Sequence, residues 1–154
     1  YNPNLSPKDC YFPDHSMAQQ IAIIGIQAQE QLEKEKLVMG GMGAVGCNVT
    51  MLSAMTGLSS LGSLTVIDYD HVSVANLIGQ LLFSSEHTKN RVSKVNAAYD
   101  RLSKLGYMKT DWLKPIVGKI DPVTDKKYSK IYSEAHWFLS AVDHRGCREH
   151  IEKL

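Results

Sequence analysis

Apolar residues along this chain fall into two patterns, short continuous runs and longer stretches spaced by three or four. The run Leu37-Val38-Met39, closed by Gly40 and Gly41, predicts a buried strand that ends in a turn. From Ala44 to about Thr56, Val45, Val49, Leu52 and Met55 recur at helical spacing, and Gly57 is placed to cap that helix. Ser63 to Asp68, β-branched and apolar, predicts a second strand with a carboxylate at its carboxyl end. A longer helix is predicted over Arg91 to Leu105, where Val92, Val95, Ala98, Tyr99, Leu102 and Leu105 share a face and Gly106 ends the pattern. Gln27 to Lys36 reads as helical, Ile116-Val117 as a short strand, His136 to Val142 as another buried strand and Arg145 to Leu154 as a final helix. Residues 1–18 form an irregular lead-in, where Pro3, Pro7 and Pro13 work against regular structure.

Strands that alternate with helices imply an α/β fold: a Rossmann-like, mostly parallel sheet with helices on both faces. Right-handed crossovers bring the carboxyl ends of such strands to one rim, where open α/β sheets bind their ligands. The glycine turn, Asp68 and Asp143 all fall on that predicted rim.

Composition changes this picture little. The 154 residues suit one domain, and an apolar fraction of 44% with 21% charged residues is ordinary for a globular protein. A net charge of +1 gives no electrostatic case for nucleic acid or an anionic membrane. The loose succession Lys104, Lys109, Lys114, Lys119, Lys126, Lys127 and Lys130 is interrupted by acids and aromatics and reads as a solvated surface. No apolar run approaches the roughly 20 residues that cross a bilayer. Cys10, Cys47 and Cys147 are too widely spaced for a zinc or CxxC motif, which suits reduced thiols in the cytoplasm or nucleus.

The chemistry begins at Gly41-Met42-Gly43-Ala44-Val45-Gly46, a GxGxxG between strand and helix. Its first glycine permits the tight turn, its second lets backbone approach a phosphate, and its third lets helix pack close to strand. The helix amino terminus then offers N–H groups to an anion. Asp68, about 20 residues further on, is placed to accept from ribose hydroxyls. This much fits a dinucleotide-linked oxidoreductase as well as an ATP-using enzyme. Strand two, however, ends Asp68-Tyr69-Asp70, two acids on one side of an extended segment. Asp70 is thereby a candidate metal ligand, with Asp143 on the neighbouring rim as a second carboxylate for magnesium held together with phosphate oxygens.

The run Asp70-His71-Val72-Ser73-Val74-Ala75-Asn76-Leu77-Ile78-Gly79-Gln80-Leu81-Leu82-Phe83 resembles the ThiF-like adenylating family, specifically the second, active adenylation half of ubiquitin-activating-type enzymes. Gln20 to Gly25, Gln31 to Lys34, Gly41 to Cys47, Asp121 to Asp125, and Ser140 to Asp143 with Arg148 extend the resemblance in order along the chain. It implies an adenylation domain over residues 19–154, incomplete at its carboxyl end. It also implies ATP and magnesium as ligands, and adenylation of the carboxyl terminus of ubiquitin or a ubiquitin-like modifier. By resemblance, Gly41, Gly43, Ala44 and Gly46 line phosphates and adenosine, Asp68 holds ribose, Asn76 sits by the phosphates, and Asp70 and Asp143 face the metal.

The chain departs from the family at its cations. Gly79 stands where the family has a phosphate-binding arginine, and groups of that kind do most to stabilise the charge that develops in phosphate chemistry. The family's phosphate lysine aligns with Val92 without a gap, or with Lys94 after a two-residue insertion. His144 replaces an asparagine, and His71 reads as a loop residue. Cys47 reads as helix packing and Cys147 as a core thiol, so no catalytic nucleophile is assigned. The family's catalytic-cysteine domain and its first adenylation half have no counterpart within these residues. The expectation is an ATP-binding domain impaired or inactive in isolation. The alternative is a non-catalytic pseudoenzyme that pairs with an adenylation-domain partner.

Overall fold

The computed structural model describes residues 17–106, 111–123 and 125–153. Strands β1 (Lys36–Gly40), β2 (Ser63–Asp68), β3 (Leu113–Val117) and β4 (Trp137–Ser140) pair in parallel, in the order β3-β2-β1-β4. Among the described residues the α-helices are α1 (Ala18–Ile24), α2 (Ile26–Lys34), α3 (Ala44–Thr56), α4 (Ser85–Lys89), α5 (Lys94–Lys104), α6 (Ser129–Glu134) and α7 (Arg145–Ile151). The predicted lead-in lies, up to residue 16, outside the described residues, and so does Cys10.

The central strands β1 and β2 are buried throughout except for Lys36, which is why they read as unbroken apolar runs. Their side chains alternate between two cores. Leu37, Met39, Leu64 and Val66 point into the larger core with Val95, Ala98 and Leu102 of α5. Val38 and Ile67 point to the other side, beneath Tyr128 and Ile151. Helices therefore cover both faces, as the alternating pattern predicts.

Four predicted elements fit less simply. The α3 boundaries are as expected, and Gly57 ends the helix in the left-handed conformation at φ 71°. Its orientation is unexpected: Gly46, Cys47, Thr50 and Ser53 are buried, whereas Val45, Leu52 and Met55 are more than half exposed. The cause is close approach. A Cβ on Gly46 would strike the Gly41 carbonyl oxygen, so only small side chains fit beneath the helix. The helix predicted from Arg91 begins instead at Lys94, because Val92 and Lys94 hydrogen-bond back to the segment after β2 and Arg91 takes φ 48°. The strand seen at Ile116-Val117 starts earlier, at Leu113, and contains Pro115. An edge strand tolerates proline, which obscures it in the sequence. On the opposite edge β4 is shorter than predicted, and Trp137 is 62% exposed.

Candidate nucleotide site

The carboxyl ends of all four strands open onto one cavity of about 740 Å³, within the range of small-molecule sites. Of the predicted site residues, Gly41, Gly43, Ala44, Asp68, Asp70, Asn76, Lys94 and Asp143 all line it. Gly46 does not; it sits beneath the turn as a packing residue.

The turn after β1 owes its shape to glycine. Gly41 has φ 94°, and a Cβ there would lie 2.7 Å from the Ala141 carbonyl oxygen. Gly43 is different: nothing stands within 4 Å of a Cβ built on it. Its missing side chain leaves open space in front of the amino terminus of α3, which has no side-chain cap. The first N–H groups of a helix lack intrahelical partners, so this end of the cavity suits an anion.

Asp68 ties this turn to β2. The carboxylate is 9% exposed, and its Oδ2 accepts from the Met42 N–H at 2.6 Å while Oδ1 accepts from the Asp70 N–H at 2.7 Å. Two carboxylate oxygens offer about four acceptor positions, so room for ribose hydroxyls remains.

Lys94 arrives by a separate route. His71 and Ser93 form an antiparallel bridge, flanked by hydrogen bonds from Val72 N–H to the Val92 oxygen and from Lys94 N–H to the Asp70 oxygen, each 2.9 Å. This register sets Lys94 opposite Asp70, and their side chains pair at 2.7 Å between Nζ and Oδ2. Val92 packs against the larger core. Of the two lysine alignments, the geometry brings Lys94 to the cavity and gives Val92 a packing role.

Asn76 lines the cavity from a 3-10 helix (Val74–Leu77), with its Oδ1 accepting from both the Ser73 N–H and hydroxyl at 2.9 Å. Gly79 is not part of the lining. It has φ 82°, and no atom stands within 4 Å of a Cβ built there. Cys47 lies under the turn, and burial pushes its thiol up to about 12, with a smaller opposing pull from the Lys94 charge. This supports its reading as packing and not as a nucleophile. Cys147 and His144 line the cavity, and His71 is exposed.

Sequence reasoning passed over several lining residues. Gly118, Lys119 and Ile120 follow β3, whose carboxyl end at Val117 is legible in the sequence, so the rim rule that located Asp68 reaches them as well. Lys119 stands over the ring of Tyr69 at 5.3 Å. Gln80 also lines the cavity, and its Oε1 is buried without a hydrogen-bond partner.

Among the described residues no group of three or more His, Cys, Asp or Glu is placed to hold a metal ion. A magnesium ion that arrives with a nucleotide takes one or two carboxylates plus phosphate oxygens and needs no all-protein cage. Asp143 fits that role; Asp70 is already paired with Lys94. No helix among the described residues is long and apolar enough to cross a membrane.

The family described as the ThiF family matches residues 17–154. The human protein named ubiquitin-like modifier-activating enzyme 7 is 31% identical over 149 residues, which cover 95% of this chain and 14% of that protein. The SUMO-activating enzyme subunit uba-2 of Caenorhabditis elegans is 27% identical over 135 residues, covering 83% of this chain and 20% of that subunit. The chain thus spans a fifth or less of the length of these relatives. Among solved structures, the E. coli tRNA N6-threonylcarbamoyladenosine dehydratase TcdA in complex with ATP superposes with a TM-score of 0.76 at 18% identity, covering 88% of this chain and 52% of that one.

Proposed function

We propose that this chain, which belongs to the ThiF family, binds ATP with magnesium at the strand rim and forms an adenylation domain acting on the carboxyl terminus of a ubiquitin-like modifier. The observation that carries this reading is the cavity that gathers the glycine turn, Asp68, Lys94 and Asp143. Two comparisons support it: a relative is named a ubiquitin-like modifier-activating enzyme, and a fold neighbour was solved with ATP.

In this reading the open amino terminus of α3 and the backbone at Gly43 receive phosphate oxygens. Asp68 accepts from the ribose while keeping its two backbone donors. Lys94 supplies a cation to the phosphates, and Asn76 and Gln80 offer further polar groups on the lining. Asp143 holds magnesium together with the phosphates, and the bound ion neutralises phosphate charge. With glycine at position 79, residues 73–81 carry no cation, which supports weak binding and an isolated domain that is impaired or inactive.

One observation favours the second reading, a module that docks an adenylation-domain partner. Val45, Leu52 and Met55 give α3 an apolar outer stripe beside the cavity mouth.

Calorimetric titration with Mg·ATP, with NAD as control, tests the first reading. Micromolar to low-millimolar ATP binding is expected, and Asp143→Ala removes its magnesium-dependent part. Unchanged magnesium dependence in that variant reduces Asp143 to a structural acid. Tight NAD binding with none to ATP overturns the reading.

A further inference from the structure

Four aspartates, Asp68, Asp70, Asp121 and Asp143, line the cavity, and the usual reading of Asp70 gives it a metal. The geometry points to a different role: we propose that Asp70 is a positioning residue that holds the Lys94 ammonium on the cavity wall. This rests on the nucleotide reading above and assigns a task within that site.

The argument starts from the backbone. The His71–Ser93 bridge and the 2.9 Å bond from Lys94 N–H to the Asp70 oxygen fix the two residues side by side before their side chains meet. The Lys94 side chain is only 11% exposed, and Asp70 is the partner its Nζ has among the described residues, at 2.7 Å. The network runs onward. The Asp70 N–H donates to Asp68 Oδ1, and Asp68 Oδ2 accepts from Met42 in the glycine turn. One polar chain thus registers the lysine against the turn that would face the phosphates.

A lysine on a flexible four-carbon stem gains most from such a holder. An ammonium has three donors, so pairing with Asp70 leaves two for a phosphate. Removing the carboxylate strands a charge in a nearly buried place, which is strongly unfavourable. The side chain then leaves the wall for solvent. A metal ligand role fits worse, since a dication on Asp70 would sit against the Lys94 charge 2.7 Å from the carboxylate.

The sign of one measurement separates the possibilities. Simple charge counting says that neutralising Asp70 removes a repulsion and improves polyphosphate binding. A holder predicts the reverse. Inorganic tripolyphosphate, which lacks ribose, and ATP are titrated with and without magnesium into the wild type, Asp70→Asn, Asp70→Glu, Lys94→Met and the Asp70→Asn/Lys94→Met double variant. Asp70→Asn is expected to weaken tripolyphosphate binding about tenfold even without magnesium, as Lys94→Met does. The double variant is no weaker than Lys94→Met alone, and Asp70→Glu recovers most of the loss. In ligand-free protein an amine-acylating reagent, read by mass spectrometry, labels Lys94 several-fold faster in Asp70→Asn, while its labelling of exposed lysines is unchanged. Tighter binding by Asp70→Asn, additive losses, or loss confined to the magnesium-dependent part overturns the proposal. If the wild type binds neither probe, the nucleotide reading fails, and unchanged Lys94 labelling then overturns the holder as well.

Discussion

Two of the segments that line the cavity differ: the glycine turn, β2 and the start of α5 make one wall, and residues 73–81, which contribute Asn76 and Gln80, make a second. On the first, the Asp68 carboxylate and the Lys94 ammonium are nearly buried and both paired. On the second, Val74, Ile78 and Leu81 are 72%, 88% and 70% exposed, and the buried Gln80 Oε1 has no partner. The second wall is anchored at its ends, where Val72, Leu82 and Phe83 enter the larger core, and between them by Leu77, which packs against it half-buried. Pairing on the first wall keeps a cation in place; the second is tied by hydrogen bonds from Ser73 to Asn76 but carries no charged residue, with a glycine at position 79. Of the two walls, charge pairing is confined to the one whose backbone is bridged to the segment after β2.

The largest expected effect comes from breaking the ordered wall at its turn. Gly41→Ala must hold a side chain at φ 94° with its Cβ 2.7 Å from the Ala141 oxygen. Strain and overlap together predict a loss of about 3 kcal/mol, read as a lower denaturant midpoint. Gly43→Ala is the control: the added Cβ meets nothing, so stability stays within about 0.5 kcal/mol while ATP binding weakens. Equal losses from the two variants would remove the distinction between a packed glycine and one that faces a ligand.

Asp68→Ala attacks the same wall through its hydrogen bonds. It leaves the buried Met42 N–H and the Asp70 N–H without their carboxylate, at a cost of about 2 kcal/mol. Cys47 reports on the damage. Burial pushes its thiol up to about 12, so in the intact protein it stays neutral at pH 8 and a thiol reagent modifies the half-buried Cys147 before Cys47. In Asp68→Ala, Cys47 labelling accelerates. Because the native state disfavours the thiolate, stability falls as pH climbs from about 9 toward 12. Unchanged Cys47 labelling in the variant would show that Asp68 does not hold the turn down.

The ordered wall is also the part most legible in the sequence. The β2 and α3 boundaries come directly from a doubly buried run and a glycine turn followed by helical spacing. What stayed hidden depends on non-local contacts. Helical spacing showed that α3 has an apolar stripe but not that the stripe faces outward, because the close approach at Gly46 is a tertiary fact. The late start of α5 depends on a bridge to a segment about 20 residues earlier, within the reach of the β2–α5 connection and invisible to local periodicity. The same bridge decides between Val92 and Lys94 at the cavity. Pairing of Asp70 with Lys94 was illegible for that reason, since two acids after a strand look the same whether they face a metal or an ammonium.

The smallest expected effect is an attempt to restore the second wall. Gly79→Arg returns a guanidinium between Asn76 and Gln80, which both line the cavity. Space is no obstacle, because no atom stands within 4 Å of the new Cβ, but φ 82° costs about 1 kcal/mol for any L side chain. Gly79→Ala carries the backbone cost without the charge, so the difference between the two variants isolates the cation. Relative to Gly79→Ala, the arginine is expected to tighten Mg·ATP binding about three- to tenfold, with no further loss of stability. No difference between them would mean that the glycine did more than delete a charge. A left-handed residue redirects the chain, and residues 73–81 would then have settled into a path from which no side chain at position 79 reaches the phosphates.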